Sequence, residues 1–272
     1  MAISKSDKTF AGSIPEIYNN YLVPLIFESY AADLAQRVSE GSCSQVLEIA
    51  TGTGVVARAL IDKLGNSVTI IATDLNQPML DKAASIRVDD NVSWHQADAV
   101  SLPFEDGSFD VVVCQFSVMF FPDRVKAYAE AKRVLKPGGR FLFSAWDDIK
   151  ENEFSDTVTN ALAVVFPDNP PRFLARTPHG YFDIEKIKSD VAEAGFSDVP
   201  RVDTISARSK ASDPSIPAIA YCQGTPLRSE IEAIDSSLLD QATEAVTQAI
   251  SARFGSGAVD GKIQALVVTC TA

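Results

Sequence analysis

Apolar positions along this chain follow two rhythms, one helical and one strand-like. Over residues 14–38 (IPEIYNNYLVPLIFESYAADLAQRV) they recur at helical spacing, and Pro24 interrupts them, which predicts two short helices before the first strand. Short apolar runs then alternate with helix-like stretches. Val46–Ala50 predicts a strand, followed by Gly52, Gly54 and a helix through Leu64. Val68–Thr73 predicts a second strand ending at Asp74, with a helix from Pro78 to Ser85. Val92–Gln96 is a third, and Phe109–Cys114 (FDVVVC) a fourth, fully apolar as a central parallel strand should be. A helix over Arg124–Val134 ends at Lys136-Pro137-Gly138-Gly139, and Arg140–Ala145 is a fifth strand. Such alternation predicts a parallel sheet with helices on both faces.

After Ala145 the rhythm changes. Residues 151–166 read as helix, Asp168-Asn169-Pro170-Pro171 as loop, and Asp183–Ala194 as a helix closing at Gly195. Val199–Ala207 predicts a strand, Glu230–Arg253 a long amphipathic helical stretch, and Ile263–Cys270 a final strand. There are no internal repeats and no low-complexity tracts.

Composition narrows the function classes. At 272 residues and 46% hydrophobic the chain can build a substantial core. No run approaches the roughly 18 to 20 apolar residues a membrane span needs, and MAISKSDKTF lacks the apolar stretch of a signal peptide, which reads as cytoplasmic. The net charge of −12 disfavours nucleic acid, whose phosphates require clustered Lys and Arg. Cys43, Cys114, Cys222 and Cys270 are scattered without metal-ligand spacing, and two histidines, His95 and His179, are too few for a His-based site, so no metal is expected.

The candidate chemistry begins at Leu47-Glu48-Ile49-Ala50-Thr51-Gly52-Thr53-Gly54. A strand feeding a glycine turn and then a helix lets the backbone approach a ligand, and the free N–H groups of that helix start favour an anion. Gly52-x-Gly54-x-x-Ala57, with Asp74 twenty residues past Gly54, also satisfies a dinucleotide fingerprint, so a NAD(P)-dependent oxidoreductase competes. Three features weigh against it. Glu48 precedes the glycines, where a carboxylate suits a ligand's ammonium and repels a pyrophosphate. Asp98 follows the third strand in Gln96-Ala97-Asp98-Ala99, leading into Leu102-Pro103-Phe104. Phe109–Val113 is then followed in order by an apolar loop, Leu135–Gly139 and a strand.

Together, over residues 45–146, these motifs resemble the class I S-adenosylmethionine-dependent methyltransferase family, above all its small-molecule branch of ubiquinone/menaquinone-biosynthesis-type enzymes. The resemblance implies a Rossmann-like, doubly wound α/β fold: a seven-stranded sheet, last strand antiparallel, with helical cap insertions. It implies S-adenosylmethionine as cofactor and S-adenosylhomocysteine as product. Glu48 would sit under the methionyl amino end, and Gly52 and Gly54 would wrap the methionyl moiety. Ala50 stands where the family has its first loop glycine, a departure that adds one methyl group. Asp74 would accept from both ribose hydroxyls, Leu75 and Met79 would flank the adenine, and Asp98, with the N–H of Ala99 nearby, would take its exocyclic amine. Gln115 and Phe116 would border the methionyl group and the transferring methyl.

The family core needs only a short link between its last two strands, whereas residues 208–260 intervene here and 147–182 also read as inserted. The organisation expected is a helical cap segment over 1–42, a cofactor core over 43–147, and 148–272 holding cap insertions (148–182 and 208–260) plus the last two core strands. His179 and Tyr181 are the acid–base candidates, against a solvated loop histidine as the plain alternative. Tyr18, Tyr21, Arg172, Cys222, Gln223 and Arg228 are candidates for the acceptor pocket, against ordinary helix and loop packing. The sulfonium is already an activated leaving group, so alignment and exclusion of water suffice and no triad is required. The partners expected are a small-molecule methyl acceptor and, at most, a second copy in a homodimer. A catalytically silent cofactor-binding scaffold is the non-enzyme alternative.

Overall fold

The computed structural model describes residues 12–87 and 89–272. The stretch MAISKSDKTF and the start of the expected 1–42 segment lie outside the described residues.

Seven strands form one sheet in the order β3-β2-β1-β4-β5-β7-β6: β1 Gln45–Ile49, β2 Thr69–Asp74, β3 Val92–Gln96, β4 Phe109–Gln115, β5 Leu135–Trp146, β6 Arg201–Ala211 and β7 Val259–Thr271. The first five pair in parallel, with Ile49 opposite Thr73 and Glu48 opposite Val113. β7 is antiparallel, and the N–H groups of Gly138 and Ala272 donate to the carbonyls of Ala272 and Gly139. Helices α3 Val55–Leu64, α4 Gln77–Ile86 and α5 Arg124–Val134 occupy the positions the apolar rhythm assigns them. The reason is burial: β1 and β4 are central, and Val46, Leu47, Val111, Val112 and Val113 are almost wholly excluded from solvent.

By compactness the chain divides into two units. One comprises residues up to Phe27, Trp146–Gly180 and Ile205–Ala265; the other comprises Glu28–Ala145, Tyr181–Thr204 and Leu266–Ala272. Helices α6 Glu153–Val165, α9 Ser215–Gln223 and α11 Leu239–Phe254 pack together in the first unit. In the second, α2 Glu28–Ser39 packs on α3, and α8 Ile184–Glu193 on α5.

The structure corrects four expectations. Pro24 does not separate two helices: α1 Ile14–Ile17 runs into a π-helix, Tyr18–Phe27, and that into α2. Pro24 is exposed inside the wider turn, where its missing donor and its ring are tolerated. Lys136–Gly139 lies within β5 as an irregularity, because the register jumps between Phe109 opposite Leu135 and Val111 opposite Arg140, and Gly138 takes φ 77°. The helical stretch 230–253 is two helices, α10 Leu227–Ile234 and α11, since the Asp235 carboxylate accepts the N–H of Ser237 and starts a short 3-10 turn. Finally β6 starts at Arg201, later than expected, and α9 and the short α7 Phe173–Arg176 were not foreseen.

Candidate functional site

The residues of the glycine loop stand at the carboxyl end of β1, in the middle of the sheet. Thr51 N–H donates to the Thr73 carbonyl (2.8 Å) and the Thr73 hydroxyl to the Glu48 carbonyl (2.9 Å), so the loop is stitched to the end of β2. Ala50, Gly52 and Gly54 turn it through left-handed conformations, with φ 56°, 58° and 80°. For Ala50 that is strained, the kind of strain that persists only where the surroundings enforce it. Gly54 has a second reason to be glycine: a Cβ there would fall 2.6 Å from the Trp94 ring.

Two carboxylates flank this loop. Glu48 is 1% exposed, and its Oε2 has no hydrogen-bond partner. Burial pushes its pKa up to about 8; the Thr51 hydroxyl, near but outside hydrogen-bond geometry, the Arg58 guanidinium and the Ala57 N–H pull it back, and the charge of Asp74 adds to the rise. Asp74 ends β2 with one oxygen accepting the Gly52 N–H (2.9 Å) and the other the Asn76 N–H (2.8 Å). Burial raises its pKa too, against the N–H groups of Asn76 and Gly52. The Asn76 side-chain amide donates as well (3.4 Å), so of the about four acceptor positions of a carboxylate Asp74 keeps one for a further donor.

The remaining cofactor candidates lie at the same ends of the strands. Met79 is buried in α4, and Leu75, just past β2, is 45% exposed. Asp98 is exposed, its side chain accepting the Val100 N–H (3.1 Å) in a tight turn, while Ala99 is buried. Gln115 ends β4 and Phe116 follows with φ 50°, its N–H shared between the carbonyl and hydroxyl of Ser144 (3.1 Å each). All eleven fall in the unit that contains Glu28–Ala145.

The acid–base and acceptor candidates divide between the units. His179 is in the other unit, buried, its Nδ1–H directed at the Asp147 carbonyl (2.8 Å) and its ring 6.0 Å from that of Trp146. Burial lowers its pKa to about 4 against the pull of that carbonyl and of Asp148 and Asp147, so the ring is neutral near pH 7. Tyr181 donates to Asp190 Oδ2 (2.8 Å) and is pushed well above the usual phenol range, first by burial. Tyr18 and Tyr21 are half-buried on the π-helix, Tyr18 against Phe27. Cys222 is buried in α9, and Gln223 donates to the Thr243 hydroxyl (3.2 Å). Arg228 is engaged by Glu232 and Ser13. Arg172 lines an open cleft of about 560 Å³ with Pro171, Arg176 and Glu230.

Two residues escaped sequence reasoning. Thr51 and Thr53 are buried, and their hydroxyls, like Glu48 Oε2, have no partner. Only their place between the loop residues could have signalled them. Among the described residues no group of His, Cys, Asp and Glu could hold a metal, and no helix is long and apolar enough to cross a membrane.

Comparison with known proteins bears on the same segment. A family model described as a methyltransferase domain matches residues 47–143. The ubiquinone/menaquinone biosynthesis C-methyltransferase UbiE of Rickettsia prowazekii is 37% identical over 120 residues, 42% of this chain and 48% of that enzyme, so the match spans about half of the relative. The UbiE enzyme of Rickettsia akari is 30% identical over 172 residues, 57% of this chain and 69% of that one. In fold, the chain is similar to a phosphoethanolamine N-methyltransferase of Haemonchus contortus solved with S-adenosylhomocysteine: TM-score 0.57 at 18% identity, over 95% of this chain and 56% of that. The chain belongs to the class I S-adenosylmethionine-dependent methyltransferase family, in the branch of the ubiquinone/menaquinone-biosynthesis enzymes.

Proposed function

We propose that this protein transfers a methyl group from S-adenosylmethionine to a small-molecule acceptor by in-line displacement. The observation that carries the reading is Glu48, a buried carboxylate with one oxygen unpartnered beside a left-handed turn. Leaving such a group unsatisfied is costly, and a bound ammonium would remove the cost. Beside it Asp74 keeps an acceptor position for a ribose hydroxyl, and the second hydroxyl would displace the long Asn76 amide contact, so both residues fit the amino-acid and ribose parts of the cofactor.

In this reading Glu48, Ala50, Gly52 and Gly54 hold the methionyl end and Asp74 the ribose. Leu75 and Met79 border the adenine faces, Asp98 and Ala99 its edge, and Gln115 and Phe116 the transferring methyl. When bound, S-adenosylmethionine supplies a methyl activated by its sulfonium. The chain's part is to orient the two reactants and exclude water, which can contribute roughly 7–11 kcal/mol. His179 keeps Nδ1–H on a carbonyl, which leaves Nε2 of the neutral ring as an acceptor and suits it to orient the methyl acceptor by a hydrogen bond. Residues 43–147 carry the cofactor role, and the segments 148–182 and 208–260, with the N-terminal helices, carry acceptor selection. The relatives' name records C-methylation, which makes a carbon acceptor the first to assay.

The test is thermal melting with candidate ligands. S-adenosylhomocysteine and S-adenosylmethionine at a hundredfold their Kd should stabilise the fold by about 2.7 kcal/mol, and NAD and NADP should leave it unmoved. A shift with NAD alone would sink the reading.

A further inference from the structure

Tyr181 anchors a chain of contacts that ends on the segment after β4. Its members, Arg124, Tyr128, Tyr181, Lys186 and Asp190, all lie in the unit that carries Glu48 and Asp74. Arg124, the first residue of α5, donates through Nε to the Val118 carbonyl and through a terminal nitrogen to that of Met119, both at 3.2 Å. These carbonyls belong to the 3-10 turn Val118–Phe120, which begins two residues beyond the left-handed Phe116.

The guanidinium carbon sits 4.2 Å from the centroid of the Tyr181 ring. Arginine's planar, weakly hydrated cation makes such a stack while its edge still donates, which lysine's ammonium cannot do. The ring in turn is fixed at its far end. Its hydroxyl donates to Asp190 Oδ2 (2.8 Å) and receives the Tyr128 hydroxyl (3.4 Å), and Lys186 holds the other Asp190 oxygen (2.6 Å). A strained φ at Phe116 needs surroundings that over-determine it. Ser144 holds its N–H from one side, and Arg124 holds the turn that follows.

We infer that Arg124, clamped by the face of Tyr181, is a positioning residue for Gln115–Phe116, and that the clamp sets the affinity for the cofactor. This rests on the reading that Gln115 and Phe116 border the cofactor. A packing pin between α5 and α8 would instead affect stability alone.

Three variants separate these, each measured by calorimetric S-adenosylhomocysteine binding and by melting temperature. Tyr181→Phe keeps the ring face but strips Asp190 of a donor; it should melt lower and bind within about twofold of the native chain. Tyr181→Leu removes the face, and should weaken binding at least about tenfold, a loss near 1.4 kcal/mol. Arg124→Lys, at a half-buried position, keeps the charge without the stack or the double donation, and should weaken binding similarly while melting close to the native temperature. Native-like affinity in Arg124→Lys would overturn the clamp, as would losses in affinity that merely follow the losses in melting temperature. Absence of binding by the native chain would overturn the methyltransferase reading and the clamp with it.

Discussion

At Glu48, folding and ligand binding make opposite demands. Burial raises its pKa from 4.5 to about 8, so its contribution to stability is complete below the ordinary carboxylate range and is lost as pH rises through about 8. Glu48→Gln should therefore melt progressively higher than the native apoprotein across that interval, with the two converging in acid. The same variant should bind S-adenosylhomocysteine at least about tenfold more weakly. In the native chain near neutral pH the ligand's ammonium favours the ionised carboxylate, so binding should release a proton, measurable by calorimetry in buffers of different ionisation enthalpy. Unchanged affinity without proton release would move the ammonium elsewhere. The type and place of Glu48 were legible from its position before the glycines. Its isolation was not, because that depends on which donors the fold leaves out of reach of Oε2.

At the scale of elements, Asp110 shows how one residue sets a strand. At the start of β4 it accepts the N–H groups of Ser44 and Gln45 (2.9 Å each) and Lys136 Nζ (2.6 Å), joining the beginnings of β1, β4 and β5. Burial alone would raise its pKa, but Lys136 and those N–H groups outweigh it and hold the carboxyl well below its usual range. A depressed pKa means stability that is present above the ordinary carboxylate pKa and lost as pH falls through the folded value. Asp110→Asn should lower stability at neutral pH by roughly 1–3 kcal/mol, a gap that narrows in acid. Denaturant midpoints across pH check it, and a gap that persists in acid would remove the charge as its source. The first four strands and α3 to α5 were legible because each is a single apolar run or periodic face. The π-helix around Pro24, the displaced start of β5 and the break at Asp235 were not, since each is a local exception settled by hydrogen bonds the periodicity does not record.

For the whole molecule, every cofactor candidate falls in one compact unit while His179 and Arg228 fall in the other. Asp74→Ala should therefore weaken S-adenosylhomocysteine at least about tenfold, whereas His179→Ala and Arg228→Ala should leave its affinity within about twofold and alter methyl transfer once an acceptor is in hand. A tenfold loss of cofactor affinity in either of the latter would break that division. The alternation of strands and helices and the run of acids and glycines at the strand ends followed from sequence, because strand period, turn chemistry and motif order are local properties. The closing antiparallel strand was implied by the family resemblance alone. Tyr181 shows the limit. Its place beside His179 made it an acid–base candidate, but nothing in the neighbouring sequence reveals that its hydroxyl is held by Asp190 and its face stacked on Arg124. Sequence alone determined which groups could do chemistry here. Tertiary structure decided which of them are already satisfied, because a buried polar group's partners come from residues distant in the chain and their donors and acceptors meet only once the core has closed.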